Sequence, residues 1–368
     1  MIFPVNPTDL TKHLRVSGYN CILLAYDNIF NYDYHMQGQV YKIHSDFYYV
    51  KSLNDIYTCK LKETLKKQKE NVVVGDFVEL SEDNNFILNT IKRKNLILRP
   101  KVANIDLALI VSAFKEPELD FIQLNRYITF LNYYKIPYVL CFNKEDLEID
   151  LANLQDKIDR IYRNICPNIF YISAKEKLGI DALSDFLKGK TVALCGQSGV
   201  GKSTLLNSLN SAVNLKTSSV SAKTQRGRHT TRHVEIIDCA DFKIIDTPGF
   251  SNLKFDFMLP DELINYFPDL LKYSGNCKYS DCLHDVGDKG ICSVVDNLDK
   301  INDIRYKSYL SFLEECRDYK EKISKKSIKE ESSKKQTGSK TFTKISKQKR
   351  ISSRNTQKQR IKYYEDHD

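Results

Sequence analysis

The stretch VALCGQSGVGKSTLLNSLN, residues 192–210, contains the most specific motif of the sequence. Within it, residues 196–203 match the phosphate-binding pattern G-x-x-x-x-G-K-[ST]. The apolar run TVALC before the pattern predicts a strand, and KSTLLNSLN after it predicts a helix. In that context the glycines let backbone N–H groups surround a phosphate, and the helix N-terminus adds the positive end of its dipole. We therefore expect an α/β P-loop domain that binds a nucleotide.

Several residues of this loop and of a later motif have predicted roles. Lys202 is expected to reach the β and γ phosphates, and Ser203 to ligate Mg²⁺. The motif DTPG, residues 246–249, begins at the end of the apolar strand FKIID. Asp246 is expected to hold Mg²⁺ through water, and the N–H of Gly249 to meet the γ-phosphate. The predicted phosphate-binding residues of the loop are Gly196, Gln197, Ser198, Gly199, Val200, Gly201, Lys202, Ser203 and Thr204.

Two further motifs at strand ends predict that the base is guanine. In NKED, residues 143–146, Asp146 can accept hydrogen bonds from N1–H and the exocyclic amine of guanine, a donor pair that adenine lacks. Sites that hydrogen-bond a ligand strongly reject analogues without those groups. Asn143 and Lys144 are expected to brace the pocket. The next strand ends at SAK, where the alanine N–H is expected to contact guanine O6. The SAK residues are Ser173, Ala174 and Lys175.

The order of these motifs is rearranged. NKED and SAK precede the P-loop and DTPG, whereas an ordinary GTPase has its P-loop near the start of the domain. Moving the last three strand–helix units of an ordinary GTPase to the front produces the observed order. Each strand still carries its loop to the same edge of the sheet, where ligands bind. The sequence therefore predicts a circularly permuted GTPase domain.

A cysteine–histidine cluster lies after this domain. The segment CKYSDCLHDVGDKGIC contains Cys277, Cys282, His284 and Cys292. Three thiolates and one imidazole are a common closed tetrahedral set for structural Zn²⁺. The alternative is four buried residues without a metal. Because all four ligands come from the protein, the predicted zinc has no open position for catalysis.

The remaining segments predict a multidomain protein. Short segments rich in β-branched and aromatic residues predict a small barrel of the oligonucleotide-binding (OB) type, which binds RNA or serves only for packing. Alternating strands and helices predict a doubly wound parallel sheet. The predicted domains are an N-terminal extension (1–37), an OB-like barrel (38–101), the circularly permuted GTPase domain (102–255), an α-helical zinc-binding domain (256–321) and a disordered basic tail (322–368).

The net charge of +9 is concentrated in the tail. Residues 322–362 contain fifteen Lys and Arg against two Glu, a net +13 that leaves −4 for all other residues. A segment this polar cannot bury enough apolar surface to fold alone. It is either a solubilising end or an arm for a polyanion, with RNA as the expected polyanion.

Targeting features are missing from the sequence. No apolar run approaches the roughly 18 residues of a transmembrane helix, and the first residues lack the pattern of a signal peptide. We expect a cytoplasmic protein with no membrane partner. Nothing in the sequence requires more than a monomer.

Taken together, the motifs resemble those of the small ribosomal subunit biogenesis GTPase family. The resemblance covers about residues 38–320 and rests on VVVGDFVEL in the barrel, the permuted motif order, GRHTT at residues 227–231 and the Cys–His cluster. It implies binding to the small ribosomal subunit and its rRNA, a role in late maturation, GTP hydrolysis stimulated by that subunit, and release on hydrolysis. The family's gap before the last cysteine is shorter than the seven residues between His284 and Cys292.

The segment SSVSAKTQRGRHTTRHVE, residues 218–235, is the predicted switch. Thr230 or Thr231 is expected to sense the γ-phosphate and Mg²⁺, as switch loops do. Phe250 stands where Ras-like enzymes place a glutamine that orients water, which an apolar ring cannot do. His229 matches the switch histidine that the resemblance suggests and is the candidate for this task. The alternative is that His229 packs or contacts RNA.

Two other functions use the same motifs. One is an RNA-binding protein whose nucleotide site is regulatory and turns over little; intact Lys202, Ser203 and Asp246 argue against it. The other is an ATPase or nucleoside kinase, which Asp146 and Ala174 disfavour. A GTPase that binds GTP and GDP is the predicted function.

Overall fold

The structure is a computed structural model of the chain. It describes residues 36–68, 71–209, 234–246, 253–285, 290–331, 334–337 and 340–343. The predicted N-terminal extension, apart from its last two residues, lies outside these ranges. The domain boundaries given above stay predictions.

The first folded unit is a closed five-stranded barrel. Its strands are β1 (Gln37–His44), β2 (Phe47–Ser52), β3 (Asp55–Leu61), β4 (Phe77–Leu80) and β5 (Phe86–Thr90), with helix α1 (Glu63–Gln68) after β3. They follow the order β1-β2-β3-β5-β4, and β4 pairs back onto β1. Val40, Val50 and Ile87 are part of the buried core of the barrel. The predicted OB-like barrel is confirmed.

A short hairpin connects the barrel to the next domain. It consists of β6 (Leu96–Leu98) and β7 (Lys101–Ala103). Gly75 of the barrel packs directly on this hairpin with a positive φ of 95°, and a Cβ there would lie 2.1 Å from the carbonyl oxygen of Ala103. Beside it, the fully buried Asp76 accepts hydrogen bonds from Nε and Nη2 of Arg93 at 2.6 and 2.8 Å. The two contacts fix the exit of the barrel.

The second unit is a P-loop α/β domain. Its strands are β8 (Leu107–Ala113), β9 (Tyr138–Asn143), β10 (Ile169–Tyr171), β11 (Thr191–Cys195), β12 (Glu235–Cys239) and β13 (Phe242–Asp246). Its helices are α2 (Phe121–Tyr133), α3 (Leu151–Tyr162), α4 (Ile180–Leu187) and α5 (Lys202–Leu209). The strand order is β10-β9-β8-β11-β13-β12, parallel except for β12. The predicted doubly wound sheet is confirmed.

The central strand β8 shows why its sequence is continuously apolar. Ala108 and Ile110 pack into the core on one face of the sheet, and Leu107, Leu109 and Val111 pack into the core on the other. A parallel strand covered by helices on both faces needs apolar residues at successive positions. Helix α2 begins beside it, where Asp120 caps the helix by accepting the N–H of Gln123 at 3.0 Å.

The barrel and the α/β domain share one continuous sheet. Strand β1 pairs antiparallel with β12 through Lys42 and Glu235, and this pair joins the barrel to the edge of the parallel sheet. The Lys42 ammonium also lies 2.8 Å from Oε2 of Glu235. The sequence analysis did not predict this connection, because a single strand pair between distant segments leaves no local pattern.

A helical unit packs on helix α2. It contains a 3₁₀ helix (Pro260–Tyr266), α6 (Pro268–Leu271), a 3₁₀ turn (Ser274–Asn276), α7 (Ser293–Asp296), a further 3₁₀ turn (Leu298–Lys300) and α8 (Asp303–Glu331). The fully buried Arg305 pairs with both carboxylate oxygens of Asp269 at 2.8 Å and donates to Oδ1 of Asn125 on α2 at 2.8 Å. Arg126 of α2 makes a matching two-bond contact with Glu315, at 2.7 Å each.

The start of the basic tail differs from the prediction of disorder. Helix α8 continues past residue 322 to Glu331, and Lys334–Thr337 pairs with Lys340–Thr343 as two short antiparallel strands. The buried part of α8 supplies the helix nucleus, and Lys and Glu extend a nucleated helix at little cost. Residues 344–368 lie outside the described ranges. None of the described helices is long and apolar enough to cross a membrane.

Candidate nucleotide site and metal centre

The predicted nucleotide motifs meet at one edge of the parallel sheet. Strand β9 ends at Asn143, β11 ends at the P-loop, and β13 ends at Asp246. Asn143 is in register with Ala113 of β8, and Asp246 is in register with Leu194 of β11. The carboxyl ends of these strands therefore lie side by side, although NKED precedes the P-loop in the chain. This is the edge where open α/β sheets bind ligands.

The P-loop glycines are required by close approach to neighbouring atoms. Gly196 has a φ of 147°, and a Cβ there would lie 2.3 Å from the carbonyl oxygen of Val111. Gly201 has a φ of 92°, and its Cβ would lie 2.3 Å from Nδ2 of Asn143. These distances leave no room for a side chain. The loop is thereby pressed against the ends of β8 and β9.

The lysine of the loop folds back over it. Nζ of Lys202 donates to the carbonyl oxygens of Gly196 at 2.8 Å and Gln197 at 2.6 Å. Its ammonium is therefore held at the loop, where the pattern predicts the β and γ phosphates. Ser203 is exposed in the first turn of α5. Nε2 of Gln197 lies 3.4 Å from Oδ2 of Asp120. Ser198 is exposed and Thr204 half-buried.

Asn143 connects the phosphate loop to the guanine motifs. Its side chain is buried; Nδ2 donates to the carbonyl of Val200 at 2.9 Å, and Oδ1 accepts the N–H of Ala174 at 2.9 Å. One amide thus bridges all three segments, and the predicted role of Asn143 in bracing the guanine pocket stays a prediction. The N–H of Ala174 is already donated to Asn143. Its predicted contact with guanine O6 stays a prediction, and it requires that this hydrogen bond be shared.

Asp146 lies in an exposed 3₁₀ turn (Glu145–Leu147) that follows NK. Its Oδ1 accepts the hydroxyl of the fully buried Ser173 at 2.5 Å. The serine thereby orients the carboxylate while the turn keeps it open to solvent. Lys175, the last residue of SAK, is exposed and lies 3.3 Å from Glu176. A carboxylate held in this way can accept hydrogen bonds from a base.

The loop between β8 and α2 was missed in the sequence. Residues 114–120 lie over the P-loop, since a Cβ on Gly199 would lie 3.5 Å from Cδ of Pro117. The Lys144 ammonium donates to the carbonyl of Glu116 in the same loop. The lysine of NKED therefore contacts this loop, and its predicted bracing role stays a prediction. The segment KEPELD, which follows an apolar strand, could have indicated this loop. It does not indicate which residues the loop contacts.

The predicted switch, apart from its last two residues Val234 and Glu235, lies outside the described residues. His229, Thr230, Thr231 and Gly249 all fall in the ranges 210–233 and 247–252. Their predicted roles stay predictions. Asp246, the last described residue before the second range, is half-buried at the end of β13.

The four predicted metal ligands come together. The ligand atoms of Cys277, Cys282, His284 and Cys292 all lie within 4.8 Å of one another. Nδ1 of His284 is 3.5 Å from Sγ of Cys277 and 3.6 Å from Sγ of Cys292, and those two sulfurs are 3.9 Å apart. Cys292 therefore belongs to the cluster despite the long gap before it. The cluster could hold one metal ion.

The surroundings of the cluster favour metal binding. Burial lowers the pKa of His284, which keeps the imidazole in the neutral form that ligates metals. Burial raises the pKa of the Cys292 thiol to about 12, so that a thiolate there needs a compensating cation. The hydroxyls of Tyr306 and Tyr309 donate to the carbonyls of His284 and Leu283 at 3.1 and 2.8 Å. Helix α8 thereby fixes the ligand loop.

Sequence profiles of known families match both main domains. The profile of the RsgA GTPase covers residues 90–256, and that of the RsgA N-terminal domain covers residues 37–86. A third profile, described as a 50S ribosome-binding GTPase, covers residues 191–328. A relative from Listeria innocua, small ribosomal subunit biogenesis GTPase RsgA 2, is 37% identical over 289 residues, which are 77% of this chain and 99% of the relative. The chain belongs to the RsgA GTPase family.

Solved structures extend the RsgA similarity to the fold. The crystal structure of YjeQ from Thermotoga maritima matches with a TM-score of 0.67 and 30% identity, covering 77% of this chain and 98% of that chain. The structure of YloQ, described as a circularly permuted GTPase, matches with a TM-score of 0.63 and 28% identity, covering 78% and 97%. The family predicted from the motifs and the permuted order are confirmed. The alternative of an RNA-binding protein with little turnover is not supported.

Proposed function

We propose that the protein is a GTPase that binds the small ribosomal subunit, acts in its late maturation, and leaves after hydrolysing GTP to GDP and phosphate. The observation that carries the proposal is the Asn143 bridge, which joins guanine and phosphate motifs from a permuted chain into one site. The named partner comes from the Listeria innocua relative, which the chain matches over 99% of its length.

The chemistry of hydrolysis is assigned to the P-loop and the switch. Lys202 stabilises charge on the β and γ phosphates. Ser203 and Asp246 would hold Mg²⁺, which would supply further positive charge at the transferred phosphoryl group. Thr230 or Thr231 senses the γ-phosphate. The remaining phosphate contacts are those of the P-loop backbone and the N–H of Gly249.

The attacking water needs a residue that orients it. Phe250 cannot hydrogen-bond to water, so we assign this task to His229 of the switch, a role that general-base or water-positioning residues fill. Replacing His229 by Ala is expected to lower hydrolysis while GTP affinity is kept.

We assign a structural Zn²⁺ to the Cys–His cluster. Four donors at bond lengths of about 2.0–2.3 Å around a tetrahedral zinc lie roughly 3.5–3.8 Å from one another. The three contacts of 3.5, 3.6 and 3.9 Å fit that geometry. With four protein ligands the ion would cross-link the loop at residues 277–284 to Cys292 at the start of α7, and it would take no part in hydrolysis.

The ribosomal RNA is the proposed partner of the barrel and the basic tail. The net +13 over residues 322–362 gives the tail a strong attraction for phosphates. The protein is proposed to act as a monomer in the cytoplasm, together with its substrate subunit. GTP favours the bound form, and hydrolysis favours release.

The large ribosomal subunit is the second candidate partner. The profile of the 50S ribosome-binding GTPase supports it, but that match begins at residue 191 and omits the barrel and the guanine motifs. The small subunit is favoured because its named relative matches 77% of this chain and is itself covered over 99% of its length.

GTP hydrolysis with each purified subunit tests the proposal. We expect small subunits to raise the rate by more than about tenfold and large subunits to leave it unchanged. Lys202→Ala should abolish hydrolysis, whereas Lys188→Ala, at an exposed lysine outside the site, should not. Stimulation by large subunits alone would favour the second candidate. A rate unchanged by both subunits would contradict both partners.

A further inference from the structure

A solvent-open cleft lies between the barrel and the α/β domain, away from the nucleotide site. Its volume is about 380 Å³, and β1 and β2 line one side while the β12–β13 hairpin lines the other. Gln39, Tyr41 and Lys51 face Asp238 and Lys243 across it. Neither the nucleotide chemistry nor the metal cluster uses these residues. The volume suffices for a phosphate with its sugar.

The cleft carries an excess of positive charge. Nζ of Lys51 and Nζ of Lys243 lie 5.3 and 5.4 Å from the centre of the Tyr41 ring. Asp238 is the acidic residue of the lining, and it is paired with Lys51 at 2.6 Å and accepts the Tyr41 hydroxyl at 2.7 Å. Asp106, the other carboxylate near Lys243, pairs with Lys94 at 2.7 Å.

Lys243 is the lysine of the cleft whose charge is available to a bound anion. Within the described residues it makes no ion pair, and Nζ donates to the amide oxygen of Gln39 at 2.8 Å. Burial lowers the pKa of this ammonium, which indicates that its charge is incompletely compensated. A half-buried cation beside a neutral amide and an aromatic face suits an anion that arrives from solvent.

The surroundings favour a polynucleotide over a free nucleotide. Phe77 and Leu53, at 42% and 92% exposure, form an apolar edge of the cleft that suits a sugar or a base. On β2, Phe47 lies four residues from Lys51 on the same face, about 13 Å away along the strand. Lys60 lies 5.0 Å from the centre of the exposed Phe47 ring. Cation and aromatic pairs repeated along one strand suit single-stranded RNA, whose bases stack on aromatic rings and whose backbone follows positive charge.

The hairpin that lines the cleft lies between the predicted switch and the DTPG motif. It follows residues 210–233 and leads into DTPG at Asp246. Lys243 is in register with Thr191, and Asp246 with Leu194, on the strand that enters the P-loop. An anion bound by Lys243 would therefore contact a strand, β13, that ends in the nucleotide site and pairs with the strand that enters the P-loop.

We propose that this cleft binds a backbone phosphate of RNA through Lys243 and Lys51, and so couples RNA contact at the barrel to the nucleotide switch. The proposal rests on the proposed function, because the RNA is taken to be that of the small ribosomal subunit. It assigns a specific contact to the region between the domains, separate from the tail and the metal cluster.

The test is the salt dependence of binding to purified small subunits, with a non-hydrolysable GTP analogue present. Lys243→Gln should weaken binding by about tenfold and reduce the slope of log K against log salt by about 0.7–0.9, the loss of one phosphate contact. Lys243→Arg should keep the wild-type slope. GTP affinity should be unchanged in both variants, which shows that they fold.

Lys190→Gln is the matched control. Lys190 is also half-buried, with Nζ 4.9 Å from the centre of the Phe186 ring. The substitution removes one positive charge, as Lys243→Gln does. It does not line the cleft, so its slope should match the wild type. Phe47→Ala should weaken binding with little change in slope, since stacking involves no counterion release.

The outcomes distinguish failure of the cleft proposal from failure of the proposed function. If Lys243→Gln binds with the wild-type slope, the cleft proposal is overturned while the subunit remains the partner. If the wild-type protein does not bind small subunits, the proposed function fails and the cleft proposal with it. Equilibrium dialysis with GDP tests whether the cleft binds a free nucleotide instead of RNA. Two bound GDP per protein, reduced to one by Lys243→Gln, would show that the cleft binds free nucleotide and would overturn its assignment to RNA.

Discussion

Single residues of the predicted guanine pocket are proposed to determine which nucleotide binds. Asp146 projects from an exposed turn, and its orientation is set by the buried Ser173 hydroxyl at 2.5 Å. The sequence predicted Asp146 from the NKED pattern, since the chemistry of guanine requires a carboxylate there. It did not predict that Ser173 orients the carboxylate or that Asn143 occupies the Ala174 N–H, because these contacts join separate strands.

Asp146→Asn is expected to change the base that the site accepts. The amide offers a donor where guanine has two donors, so GTP affinity should fall by about 100-fold or more. Xanthosine triphosphate, which has an oxygen in place of the exocyclic amine, should regain affinity. Competition binding with GTP, xanthosine triphosphate and ATP measures this. Glu145→Gln, at the neighbouring carboxylate, should leave the preference for GTP intact, and equal GTP affinity in both variants would refute the assignment.

The buried Arg305 holds the helical unit on the α/β domain. Arg305→Met leaves Asp269 without its two 2.8 Å hydrogen bonds and should lower the free energy of unfolding by about 3–5 kcal/mol. Lys307→Met, at an exposed pair with Asp303 on the same helix, should change little. Denaturant titration of both variants gives the comparison. Equal stability of the two variants would show that the buried pair contributes nothing.

At the scale of elements, the sequence predicted the parts whose signals are local. The glycines of the P-loop lie between the strand and the helix predicted for this segment. The join between β1 and β12 and the loop over the P-loop were not predictable, because they depend on contacts across the fold. Helix α8 passes residue 322, since its packed first half overrides the polar composition of its end.

The P-loop conformation predicts different results at two glycines with positive φ. Gly201→Ala places a Cβ 2.3 Å from Nδ2 of Asn143 and should weaken GDP binding by more than about tenfold, because the amide bridge must move. Gly189 has a φ of 72° with nothing within 4 Å of the added Cβ. Gly189→Ala therefore adds only backbone strain and should keep GDP affinity. Fluorescent GDP titration would contradict this account if both variants bound alike.

The Cys–His cluster should hold one metal ion that stabilises the helical unit. Cys282→Ser is expected to lower bound zinc from one per protein to none and to lower the melting temperature, because the ligand loop loses its cross-link. Cys166→Ala, at a buried thiol outside the cluster, should keep the metal. Elemental analysis and thermal unfolding measure both effects. Zinc retained by Cys282→Ser would argue against the ligand set.

At the scale of the whole molecule, one sheet links the barrel to the nucleotide domain. Strand β1 pairs with β12, and β12 leads through β13 to the end of the P-loop strand. The helical unit is fixed to α2 through Arg305 and Arg126. The barrel and helix α8, which leads into the basic tail, are therefore attached to the domain that binds GTP. The barrel and the tail are the two parts proposed to contact the ribosome.

Co-sedimentation with purified ribosomal subunits tests whether the GTP-bound protein binds the small subunit. With a non-hydrolysable GTP analogue, the protein should sediment with small subunits, and with GDP it should remain in the supernatant. Large subunits should retain it in neither state. Equal binding to small subunits in both nucleotide states, or preferential binding to large subunits, would contradict the account.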